Sequence, residues 1–177
     1  MKPNRNMEGQ TAFVCGASKG IGAAAAIELS SQGVNTVLLA RSKEGLDGVI
    51  KKLDKSKGQT HKTIIVDFSS PKILEEKVNI FLQKFNNDVE ILINNTGGPK
   101  PGPIINANPS EFINTFNQHV ICNHILVNSL VERMKKANYG RIINIISTSV
   151  KQPIKGLGVS NTIRGAVASW AKTLSFE

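Results

Sequence analysis

The segment Gly16-Ala17-Ser18-Lys19-Gly20-Ile21-Gly22 carries the clearest chemical signal in the chain. It joins an apolar run, Thr11 to Cys15, to an Ala-rich stretch, Ile21 to Ser31, so the pattern predicts a strand, a tight turn and a helix. Glycines at such a turn let the backbone approach a pyrophosphate closely. The helix N-terminus presents it with free amides and the positive end of the helix dipole. A site for NAD usually places Asp or Glu about 20 residues further on, at the end of the second strand, to bond the ribose hydroxyls. Here that end reads Ala40-Arg41-Ser42. The guanidinium of Arg41 forms a fork suited to phosphate, and Lys19 adds a second cation on the same side, so NADP(H) is the expected cofactor.

The elements that must position this turn alternate along the chain. After Gly33 ends the first helix, Val34 to Ala40 reads as a strand and Lys43 to Lys57 as a charged amphipathic helix. Thr63 to Val66 follows as a strand, Ile73 to Phe85 as a helix and Val89 to Ile93 as a strand. A proline-glycine loop at Pro99 to Pro103 leads into a long helical pattern from Ser110 to Lys136, a strand from Arg141 to Ser147 and a helix from about Ser160 to Leu174. The strands lack strict alternation of polar and apolar residues, as expected where both faces are covered. The expected architecture is α/β, a doubly wound parallel sheet (Rossmann fold) with helices on both faces, forming one domain over residues 1–177.

The 177 residues suffice for a core of useful size, and no apolar run approaches the roughly 20 residues needed to cross a bilayer. The N-terminus has no apolar core of the signal-peptide kind, which makes a soluble cytoplasmic protein the expectation. Cys15 and Cys122 both lie in apolar stretches and read as buried thiols, and no metal-ligand spacing occurs, so no metal is expected. The net charge of +9 raises nucleic acid as a partner, but the lysines are spread over several helices, as at Lys51, Lys52, Lys55 and Lys57. One Tyr and one Trp make no stacking platform, which argues against nucleic acid.

A later motif, Asn94-Asn95-Thr96-Gly97, completes a pair with the glycine turn and resembles the Asn-Asn-Ala-Gly motif of short-chain dehydrogenase/reductases. Within that family the sequence looks most like the 3-oxoacyl acyl-carrier-protein reductases. The resemblance runs from Thr11 to Glu177 and implies an oxidoreductase that reduces a carbonyl or acyl thioester with NADP(H). It also implies contacts from Asp67 to the adenine, and a role for Asn94, Thr96 and Gly97 in steadying the sheet and bordering the cofactor. Family chemistry uses Ser, Tyr, Lys and Asn. The Ser position falls on Ser147, with Ser149 a close competitor. The Tyr and Lys positions fall on Ser160 and Arg164, and the Asn position on His119. A serine hydroxyl is a far weaker acid than a phenol of pKa about 10, so Ser160 does not replace Tyr in kind. Arg164 remains able to bind the ribose. His119 is either a proton source, directly or through water, or a satisfied helix histidine. The only tyrosine, Tyr139, lies in the turn before a strand and does not stand in for the missing acid. Trp170 and Leu174 read as core or as dimer contacts. The resemblance further implies a homodimer or homotetramer paired through the two long helices, and a chain truncated at Glu177 before the family's last strand and substrate lid. A second reading, an NADP(H)-binding protein without redox turnover, stays open beside the reductase.

Overall fold

The computed structural model describes residues 6–177. Five parallel strands form one sheet: β1 (Thr11–Cys15), β2 (Asn35–Ala40), β3 (His61–Ile65), β4 (Ile91–Asn94) and β5 (Arg141–Asn144). Their spatial order is β3-β2-β1-β4-β5. Successive strands are joined through helices α1 (Gly20–Ser31), α2 (Lys43–Ile50), α3 (Pro71–Gln83), α4 (Pro109–Phe116) and α5 (Cys122–Lys136), and α6 (Gly158–Leu174) follows β5. The doubly wound sheet expected from the sequence is therefore present.

Strand β1 shows why the sheet needs both layers. All five of its residues are buried. Phe13 and Cys15 pack with Leu74 and Val78 of α3 and with Cys122, Leu126 and Leu130 of α5. Ala12 and Val14 point the other way, toward Ala26 of α1 and Leu46 and Val49 of α2. A strand pleat sends alternate side chains to opposite faces, so a strand buried on both reads as continuously apolar. Trp170 and Leu174 of α6 pack against the α3–α5 core from its margin.

Several elements depart from the lengths expected of them. The second helix stops at Ile50 rather than Lys57: the Lys52 and Leu53 amides already bond three residues back, and beyond them the Asp54 amide donates to Ser30 Oγ at 3.0 Å while its side chain accepts from the Ser56 amide at 2.8 Å. Strand β5 stops at Asn144 rather than Ser147, since the Ser147 side chain accepts from the Ser149 amide at 3.1 Å and caps a short 3-10 turn over Thr148–Val150. The long helix expected over 110–136 is two helices separated by a π turn at Asn117–Ile121. That widened turn buries His119 and Val120. Both cysteines are free and buried, and burial pushes the Cys122 thiol up to about 12 and Cys15 higher still.

Candidate functional site

The strand order reverses beside β1: one connection runs outward to β2 and β3, the other to β4 and β5. A crevice opens outside the carboxyl ends of the strands at such a switch point. Here it is a cleft of about 390 Å³ bordered by the glycine turn after β1, Arg41 after β2, Asp67 after β3 and residues 95–98 after β4. Gln118 closes it from the π turn.

Each glycine of the turn has its own physical reason. Gly16 and Gly20 both have φ of +59°, a left-handed conformation that disfavours a side chain. At Gly16 a Cβ would also lie 2.7 Å from Asn95, whereas Gly20 has nothing within 4 Å and faces open space. A Cβ at Gly22 would lie 2.5 Å from the Gly16 carbonyl oxygen, so Gly22 is where α1 meets the turn rather than part of the cleft wall. No side chain caps the start of α1, and its first amides stay available to a ligand. Ser18, Lys19 and Ile21 line the same end of the cleft, Ile21 with 61% of its surface exposed. Uncapped amides, two cations and an uncovered apolar side chain around one open cleft fit a phosphate-bearing dinucleotide.

The Asn-Asn pair divides its work. Asn94 is buried and donates through Nδ2 to Oδ1 of Asn144 at 2.9 Å, tying β4 to β5 and standing outside the cleft wall. Asn95, which the sequence reading did not single out for the site, reaches back and donates to the carbonyls of Cys15 at 3.3 Å and Gly16 at 3.5 Å. It holds the glycine turn from the far side, while Thr96 and Gly97 border the cleft as expected. Asp67 accepts from the Ser69 amide at 2.9 Å, and that bond, with smaller help from the Arg41 charge, holds its carboxyl below the usual range.

Of the four positions that the family resemblance assigns to catalysis, none lines the cleft; His119 and Arg164 approach its Gly97-Gly98 edge. His119 bonds through Nε2 to the Gly97 carbonyl at 3.1 Å, which places its proton on that nitrogen. Burial, then the nearby Arg164 charge, lowers its pKa to about 4, so at neutral pH the ring is uncharged. Of the two roles open to His119 in the sequence, the geometry favours the satisfied histidine: its Nε2 proton is committed to the Gly97 carbonyl. Arg164, half-buried on α6, donates through Nη1 to the Ile145 carbonyl at 2.7 Å, and its Nη2 lies 3.9 Å from where a Gly98 Cβ would stand. Its guanidinium thus spans the loops after β4 and β5, and no carboxylate pairs with it among the described residues. Ser160 lies one helical turn before Arg164, at the start of α6. Ser147 holds an amide proton from Ser149, leaving its own hydroxyl proton free to donate, and no hydrogen bond joins Ser147 to Ser160 among the described residues. Ser149, the competitor, is 3% exposed and its Oγ is buried without a partner. Tyr139 lies at the opposite end of β5, with the Arg141 guanidinium 4.4 Å from its ring, well removed from this group.

Fold and cleft together define a doubly wound α/β protein with a phosphate-gripping turn at its switch point. Residues 10–177 match the short chain dehydrogenase family, and the chain belongs to it. It is similar to the NADPH-dependent reductase BacG of Bacillus subtilis (strain 168), 29% identical over 174 residues, covering 97% of this chain and 66% of that protein. It is also similar to the inactive hydroxysteroid dehydrogenase-like protein 1 of Homo sapiens, 30% identical over 172 residues, covering 96% of this chain and 51% of that one. Among solved structures, L-sorbose reductase from Gluconobacter frateurii, complexed with NADPH and L-sorbose, superposes with a TM-score of 0.88 at 26% identity. That likeness covers 97% of this chain and 66% of the other. The chain therefore spans just under two thirds, or as little as half, of the length of these relatives.

Proposed function

We propose that the protein binds NADP(H) and reduces a ketone, such as a 3-oxoacyl thioester. The observation that carries the reading is the cleft itself, in which the glycine turn, the uncapped start of α1, Lys19 and Arg41 converge. Arg41 takes the place where an NAD site has an acid, and its fork suits the additional phosphate of NADP(H). The likeness to the NADPH-dependent reductase BacG and to the sorbose reductase complexed with NADPH supports the same cofactor. The substrate class rests on the likeness of the sequence to 3-oxoacyl reductases.

The chain's own residues take the following roles. Arg41 and Lys19 hold phosphate, while Ile21 and Asp67 border the adenosine end. When bound, NADPH supplies the hydride. Ser147 donates its free hydroxyl proton in a hydrogen bond to the substrate oxygen. Arg164 holds the ribose and keeps a permanent positive charge beside the reacting end. His119 keeps its Nε2 proton on Gly97 and positions that loop, so the proton that completes the alcohol comes from water. Ser160 contributes a hydroxyl to order that water.

A second reading, NADP(H) binding without turnover, is favoured by a specific observation: Ser160 and Arg164 stand where the family's Tyr and Lys would be. Titration of the protein with NADPH, followed by oxidation of NADPH with a panel of 3-oxoacyl thioesters and diketones, separates the two. Saturable binding with turnover supports the reductase. Binding with no oxidation across the panel supports the second reading, and no binding refutes both.

A further inference from the structure

At the far side of the sheet from α6, β3 is an edge strand that pairs only with β2. The Thr36 amide donates to the Thr60 carbonyl at 3.2 Å and the Val66 amide to the Ala40 carbonyl at 2.9 Å. Backbone groups alternate sides along a parallel strand, so these two bonds turn even-numbered residues toward β2 and leave those of Thr63 and Ile65 facing outward. Lys77 confirms the direction by donating from Nζ to the Ile65 carbonyl at 2.7 Å.

Helix α3 runs beside this open edge and presents Ile73, Lys77, Ile80 and Lys84, spaced so that all four fall in one stripe. Ile73 and Ile80 are 47% and 51% exposed, and Ile65 on the strand is 37% exposed. Between strand and helix lies a groove of about 520 Å³. Lys62 stands over its aromatic floor, with Nζ 6.0 Å from the Phe81 ring and 5.5 Å from the Phe85 ring. Lys62, Lys77 and Lys84 form no ion pair among the described residues, whereas Lys43, Lys57, Lys135 and Lys136 each do. Glu76, three residues after Ile73 and four before Ile80, flanks this stripe and forms no ion pair with the three lysines among the described residues.

Lysines on an edge strand commonly serve to prevent unwanted pairing. Here, however, they alternate with uncovered isoleucines around a groove that also offers the outward backbone groups of Thr63 and the Ile65 amide. We propose that the β3 edge and α3 form a docking groove for an extended acidic segment of a partner protein. An added strand would give main-chain bonds to Thr63 and Ile65. Its period of two would send carboxylates to the α3 face, where Lys62, Lys77 and Lys84 stand, and apolar side chains to the opposite face, where Ile65 projects. The groove lies outside the cofactor cleft, so this inference stands apart from the reductase reading.

The test uses the full chain and a short fluorescent peptide alternating Glu and Val, with a Lys-Val counterpart as control and anisotropy as the readout. The expected result is saturable binding of the acidic peptide alone, weakened several-fold by raising salt through the screening range. The K77E/K84E double variant should lose at least tenfold in affinity while keeping the thermal midpoint of the parent; K84E alone serves if the double variant unfolds. Hydrogen exchange should slow at the Thr63 and Ile65 amides on binding. Equal binding of both peptides, binding unaffected by the charge reversals, or protection elsewhere on the surface would overturn the proposal. So would adsorption to anionic vesicles in place of peptide binding.

Discussion

Replacing His119 by Asn tests the account of the loop after β4 quantitatively. The ring is 2% exposed and its folded pKa is about 4, against an ordinary value of 6.5. A histidine with a depressed pKa binds its proton more weakly in the folded chain than in the unfolded one. Its stabilising effect is therefore complete above pH about 6.5 and is lost as pH falls toward 4. At about 1.4 kcal/mol per pKa unit, the shift corresponds to a total loss of about 3 kcal/mol, of which about 2 kcal/mol is already gone at pH 5. Urea unfolding of parent and His119→Asn between pH 7.5 and about 4.5 isolates this group, because His61, also depressed by burial, and the shifted carboxylates are common to both proteins. The parent should lose stability more steeply than the variant, and the difference between the two should change by about 2 kcal/mol by pH 5. A flat difference across that range would show that the ring titrates freely. The burial of the ring and its proximity to the Arg164 charge, which together depress its pKa, would then be refuted.

Three further outcomes follow from the same geometry. Arg41→Ala should weaken NADPH binding by roughly 10- to 100-fold, the worth of a lost charge-assisted bond, and leave NADH almost unchanged; fluorescence titration with both cofactors checks this. Gly22→Ala puts a Cβ 2.5 Å from the Gly16 carbonyl, so it should cost about 1–3 kcal/mol in denaturant unfolding and loosen cofactor binding as the turn shifts. Leu126→Ala empties a fully buried position between α5 and the sheet and should cost about 2–5 kcal/mol, measured by urea unfolding, with any bound cofactor affinity retained in the fraction that folds.

The fold was legible in the sequence wherever a constraint is local. A strand buried on both faces must be apolar throughout, and Thr11 to Cys15 is. A turn that needs a left-handed residue announces itself by glycine, as Gly16 and Gly20 do, and Gly33, with φ of +87°, closes α1 in the same way. Boundaries were harder to read because they depend on competition. The charged run after Ile50 has the composition of a helix, yet its backbone tightens at Lys52 and Leu53 and the Asp54 amide turns to Ser30 Oγ, a partner 24 positions away. Ser147 likewise looks like the last residue of a strand until its side chain takes up the Ser149 amide.

The site divides along the same line. The end proposed for phosphate draws on residues within one turn and one strand end, and Gly16, Lys19 and Arg41 line one cleft. Asn95 was missed because its importance lies in reaching carbonyls some 80 positions away in sequence, a contact that only the sheet brings about. The π turn was hidden for a different reason. Inserting extra width into a helix changes neither the composition nor the apolar spacing by much, yet it buries His119 while directing Gln118 into the cleft. Buried by the π turn and facing the Arg164 charge, His119 is held neutral against the opposing effect of its bond to Gly97. Arg164 and His119 are thus electrostatically linked: burial first, and then the Arg164 charge, hold the His119 ring neutral.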